Sequence, residues 1–203
     1  MTKCILLCLL TIICGRCISK ETYLFKLVTA GETSAGTDCK VKLKIVGDQS
    51  YLHLALTNGT NLDAQPVDDL FQPNAADIFT LTTAEPLGTI TRIQFELYSA
   101  GCLFSNKAWE PSKATLLRTD VLGGKLPLYR LLRMRPIIDW TIDKWLSTTV
   151  LHGGVLTVNV TSCVHSEWMQ WAACESGSRS RQRQLWARPP DDKCAPNAQK
   201  EKC

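Results

Sequence analysis

Short runs in which apolar and polar residues alternate constrain the fold of this 203-residue chain more than any other feature. Cys39, Val41, Leu43 and Ile45 alternate with Lys40, Lys42 and Lys44. Leu52, Leu54 and Leu56 alternate around His53 and Ala55. Ile93, Phe95 and Leu97 alternate with Arg92, Gln94 and Glu96, and Leu156, Val158 and Val160 with Thr157 and Asn159. Successive side chains of a strand point to opposite faces, so each run buries one face and wets the other. Several such runs, separated by Gly, Pro, Asn and Asp clusters, predict an all-β chain with an antiparallel β-sandwich. Asn58 to Asn74 reads as a long loop, and Ile137 to Leu146 is aromatic-rich without a clear pattern.

The chain begins differently. Lys3 precedes the apolar run Cys4 to Cys14, which Gly15 and Arg16 stop. A bilayer span needs about 20 apolar residues, so this shorter run predicts a secretory signal peptide over 1–19, cut before Lys20. No later run is apolar enough to span a membrane, and no glycolipid-anchor tail is expected. Of the ten cysteines, cleavage removes Cys4, Cys8, Cys14 and Cys17. Cys39, Cys102, Cys163, Cys174, Cys194 and Cys203 remain, an even set that predicts disulfides in a secreted, extracellular protein. Sequons at Asn58 and Asn159 fit that route. A net charge of +4 is too small to argue for a nucleic-acid partner.

The last forty residues carry a second pattern. Trp168 and Trp171 precede Arg179, Arg181 and Arg183, within a frame of four cysteines. In an extended strand the three arginines project to one side. Guanidinium planes stack on indole faces, gaining about 0.5–2 kcal/mol per contact. A segment this short cannot bury an ordinary core, so stacking and disulfides must replace one.

From Tyr23 to Thr29, then Ala35 to Asp38, Val41, Leu43 and Gly47, the sequence resembles the opening of a PLAT (LH2) domain. The resemblance continues through Asp77 to Leu81, Leu87 to Ile93, Trp109 and Lys144 to Ser147. It implies a two-sheet, eight-stranded sandwich over residues 20–161. PLAT domains accompany lipoxygenases, lipases and polycystin-type membrane proteins, where they engage membranes or partner proteins. Gly36 is expected to allow a tight turn, and Phe79, Trp109 and Trp145 to lie in the core.

Residues 162–203 resemble a thrombospondin type-1 repeat, so the fold class expected is an all-β sandwich followed by a small disulfide-stabilised module. The chain lacks that family's Cys-Gly step after Cys174, and the usual O-fucose acceptor with it. The resemblance implies Cys163–Cys194 and Cys174–Cys203 bridges, which leaves Cys39 and Cys102 to each other. Trp168-x-x-Trp171 resembles the recognition sequence for C-mannosylation of Trp168, and Trp171-x-x-Cys174 extends that expectation to Trp171.

Three ligand classes follow. PLAT resemblance implies calcium, for which Glu32, Asp38 and Asp77 are the candidate ligands among the loop oxygens that also include Asp48, Asn58 and Asp63; Gly31 stands where that family has an acid, and Asp and Asn also serve as plain turn residues. It also implies lipid contact, through an apolar loop such as Leu103-Phe104 and basic clusters at Lys40, Lys42 and Lys44 or at Lys125, Arg130, Arg133 and Arg135. A solvated sheet face is the alternative for the lysines. Arg179, Arg181 and Arg183 are expected to stack first and to offer a sulfated-glycan groove second. His53, His152 and His165 have no metal-ligand spacing, and there is no GxSxG elbow. The chain therefore reads as a secreted, non-enzymatic adhesion or recognition protein, meeting lipid headgroups or a protein through the sandwich and glycan or extracellular protein through the tail. The alternative is an accessory subunit whose PLAT-like domain docks a separate enzyme or membrane receptor.

Overall fold

The computed structural model describes residues 20–56, 60–61, 70–98, 108–119, 136–147 and 154–203. All elements among them are β-strands. They are β1 (Thr22–Thr29), β2 (Lys40–Gly47), β3 (Tyr51–Ala55), β4 (Thr60–Asn61), β5 (Ala76–Thr82), β6 (Ile90–Tyr98), β7 (Ala108–Trp109) and β8 (Pro111–Arg118). Then come β9 (Ile138–Thr141), β10 (Leu146–Ser147), β11 (Val155–Asn159), β12 (Val164–His165), β13 (Ser178–Gln182), β14 (Leu185–Ala187) and β15 (Ala198–Lys202). The signal-peptide run, Asn58, Cys102, Leu103, Phe104, the 125–135 basic cluster and His152 lie outside the described residues.

Two sheets face each other. One runs β4-β5-β1-β8-β9, and the other places β3, β2, β6 and β11 side by side. Alternation sets the register. Val41, Leu43 and Ile45 of β2 stand beside Leu97, Phe95 and Ile93 of β6, so all six point inward together. Between the sheets Phe25, Phe71, Phe79, Phe95 and Trp109 form an aromatic centre, with neighbouring rings 5.5–6.5 Å apart. That spacing favours tilted and edge-to-face contacts. The Trp109 indole N–H donates to Thr29 Oγ1 at 3.1 Å, which satisfies the one polar atom the ring brings into the core.

The N-terminal strand is fastened by a buried ion pair. Arg118 Nη2 lies 2.8 Å from Glu21 Oε1, while Glu21 Oε2 accepts from the Tyr23 hydroxyl and the Leu87 amide, each at 2.8 Å. A buried carboxylate is tolerated when its oxygens are engaged in this way.

Two expectations need correction. Gly36 has no left-handed backbone; it is a glycine because a Cβ there would meet Pro73 Cδ at 2.6 Å and the Phe71 carbonyl at 3.0 Å. Phe79 and Trp109 are buried, but Trp145 is 46% exposed. Asp143, at φ 40°, turns the chain, and Leu146 takes the inward position, which leaves its neighbour Trp145 facing out.

The tail is joined to the sandwich rather than hanging from it. Val160 donates its amide to Thr91 O at 2.8 Å, and β14 lies parallel to the start of β6, with Ala187 opposite Ile90. Ala187 is fully buried, Arg188 N donates to Ile90 O at 3.0 Å, and Val164 and Trp186 pack on the sandwich core.

Candidate functional site

Strand direction separates the sandwich into two ends. The tail attaches where β6 begins and β1 begins. The opposite end gathers the 30–36 loop, Phe71 to Asn74, Glu110 and the Asp143 turn. Backbone bonds tie these together: Ala30 N to Glu110 O at 2.9 Å, Glu110 N to Ala35 O at 3.0 Å and Asn74 N to Ala30 O at 3.0 Å. Trp145 and Lys144 are exposed here. An indole left in water on a turn is costly to leave uncovered and well suited to a surface that is apolar on one side.

The same end is acidic. Burial, and then the neighbouring carboxylates of Glu32 and Asp143, push the Glu110 carboxyl above its ordinary value. Glu110 and Asp143 had no motif to mark them in the sequence; loop packing alone brings them near Glu32. Asp38 is exposed, whereas Asp77 is fully buried and holds the Phe71 amide through Oδ2 at 2.8 Å. Calcium needs six to eight oxygens at once. Glu32, Asp38 and Asp77 do not fit it as a set, and among the described residues no group of three His, Cys, Asp or Glu side chains is placed to hold a metal ion.

In the tail, the arginines and tryptophans interleave. Arg183 lies 4.4 Å from the centre of the Trp168 ring and Arg181 5.0 Å from it. Arg181 also lies 4.6 Å from the Trp171 ring, which Arg179 covers at 5.1 Å. The order is therefore Arg183, Trp168, Arg181, Trp171, Arg179. Ser180 and Gln182 alternate outward, as strand geometry requires. Neighbouring β15 and the segment leading into it engage the guanidinium edges. Arg179 Nε donates to Glu201 Oε1 at 2.6 Å, Arg181 Nε to Gln199 Oε1 at 2.9 Å, and Arg183 Nη2 to Pro196 O at 3.3 Å. Disulfides Cys163–Cys194 and Cys174–Cys203, with Cα atoms 5.7 and 6.1 Å apart, close the module. Cys39 is also disulfide-bonded. Within residues 162–203 only Ala187 is buried, so the stack and the bridges stand in for a core.

The outward face of β3, β2, β6 and β11 carries a third feature. Lys42 sits between Ala55 and Glu96, Lys44 between His53 and Gln94, and Lys40 beside Tyr98. Lys42 Nζ lies 3.7 Å from the Tyr98 ring centre and Lys44 Nζ 4.6 Å from that of Tyr51. A groove of about 200 Å³ runs between Lys42, Lys44, His53, Gln94, Glu96 and Val155. Asn159, the described sequon asparagine, is exposed on this face opposite Arg92.

No family model and no curated protein matches the chain. Solved structures do. The Delta413-417:GS I805W form of a lipoxygenase (LOX) is 14% identical with a TM-score of 0.50, over 71% of this chain and 17% of that one. The Delta413-417:GS form is 12% identical with a TM-score of 0.50, over 82% of this chain and 23% of that one. This chain thus spans less than a quarter of those enzymes, and the match falls on their non-catalytic PLAT/C2-like domain. The fold is an all-β, PLAT-like antiparallel sandwich with a small disulfide-bonded segment at its C-terminal end.

Proposed function

We propose that this is a secreted, non-enzymatic recognition protein whose PLAT-like sandwich meets a lipid surface with the end that bears Trp145. One observation carries the reading: Trp145 is 46% exposed beside the exposed Lys144, on a turn at the end of the sandwich remote from the tail. Inserting an indole at headgroup depth removes its apolar surface from water, and Lys144 offsets part of the repulsion that Glu32, Glu110 and Asp143 set against an anionic leaflet. The tail, read as a thrombospondin type-1-like module, projects from the other end toward glycan or extracellular protein. Two weak contacts at opposite ends suit a bridging molecule, because one flat surface cannot take both.

Co-sedimentation of the protein from Lys20 onward tests this, with vesicles of phosphatidylcholine containing phosphatidylserine, in calcium and in chelator. Trp145→Ala is expected to weaken binding about tenfold, in keeping with one lost interfacial aromatic. A wild-type protein that stays in the supernatant under both conditions contradicts the lipid reading. A stoichiometric protein partner lost with Trp145→Ala would then favour the accessory subunit.

A further inference from the structure

Tail and sandwich each present a row of cations, and their surroundings differ. In the tail, every arginine of the stack has a hydrogen-bond partner, and Arg179 is neutralised by Glu201 at 2.5 Å. On the sandwich, Lys40, Lys44 and Arg92 have no carboxylate within 4 Å among the described residues, and Lys42 has one, Glu96, at 3.9 Å. Alternate residues of β2 put the three ammonium groups on one side at intervals of about 7 Å. Tyr98 and Tyr51 hold two of them, Lys42 and Lys44, in place through their ring faces. His53 and Gln94 add hydrogen-bonding groups to the same groove.

We propose that this outward face of β3, β2 and β6 binds an extended sulfated glycan, with Lys40, Lys42 and Lys44 contacting its anionic groups. The inference deepens the glycan arm of the reading above and moves it from the tail to the sandwich. A chain is favoured over a bilayer by the position of Asn159. A glycan carried there stands on the same face opposite Arg92 and holds a flat membrane away, while a narrow polyanion still lies along β2. The cations also form a line rather than a ring around an apolar tip, and a line matches a polymer.

Heparin is the probe, with affinity read from the salt needed for elution and from titration of a heparin-derived oligosaccharide. The triple variant Lys40→Gln, Lys42→Gln, Lys44→Gln is expected to bind about tenfold or more weakly, as removal of three surface charges facing a polyanion implies. Lys40→Arg, Lys42→Arg, Lys44→Arg should keep wild-type retention. Lys193→Gln, Lys200→Gln, Lys202→Gln makes the same charge change on exposed tail positions and should leave elution nearly unchanged. Vesicle binding should survive the Lys40, Lys42, Lys44 glutamine change, which separates this site from the Trp145 end. Equal losses from the two glutamine triples would overturn the proposal, as would retention that follows the tail variant alone. A wild-type protein that passes heparin unretained sinks the proposal and the glycan arm together, and leaves the lipid arm standing on its vesicle result.

Discussion

The arginine stack of the tail and the lysine row of the sandwich look alike in sequence, since each places three cations at alternate positions. In the structure they do opposite work. The arginines lie between indoles, their edges turned to Glu201, Gln199 and the Pro196 carbonyl, in a module where one residue is buried. The lysines stand on a sheet whose other face already packs a full core. A cation that replaces a core cannot be withdrawn for a ligand without loosening the fold. One that decorates a finished sheet can be. Guanidinium chemistry suits the first task because a planar group stacks and donates in plane at once, and an ammonium suits the second.

The largest expected effect lies at the bridges. Cys163→Ser with Cys194→Ser removes a cross-link over 31 residues and should cost the tail about 3–4 kcal/mol, read by chemical denaturation followed at the tail tryptophans. Arg181→Ala removes contacts with two indoles and the bond to Gln199. A loss of about 2 kcal/mol is expected, and no loss would show the stack to be ornamental. Glu201→Gln is more discriminating. The pair is exposed, so stability should fall by less than about 1 kcal/mol, and heparin elution should stay nearly unchanged because Arg179 remains on the Trp171 ring; a shift to higher salt would bring the arginines into glycan binding. Lys44→Gln should move stability by no more than about 0.5 kcal/mol in a thermal melt.

Glu110 gives the smallest effect and concerns the acidic end. Its carboxyl is raised in the folded protein, so the ionised form is disfavoured there. That penalty is absent below the ordinary carboxylate value and grows as pH rises through the folded-state value. Glu110→Gln should therefore raise the melting temperature at neutral pH by about 1 °C or less, and the gain should vanish near pH 4 and below.

How much of this was legible in the sequence varied by region. Strict alternation exposed the sheets, because one buried face forces a period of two and a one-residue slip would invert it. The β2 and β6 runs show this in their register. Trp145 was misjudged as a core residue, since nothing local announces the left-handed Asp143 that turns it outward. Glu110 and Asp143 went unnoticed because they meet Glu32 only through three loops bonded to one another. The different fates of the arginines and lysines were equally hidden: both are alternating cations, and only the partners supplied by β15 and β6 tell them apart.

The most direct measurement is a backbone and side-chain NMR titration of the labelled protein with a heparin-derived oligosaccharide. Shifts are expected to centre on Lys42, Lys44, His53 and Gln94, with the indole N–H signals of Trp168 and Trp171 unmoved. Shifts concentrated on those indoles and on Arg179, Arg181 and Arg183, with the β2 face silent, would contradict the β2 site.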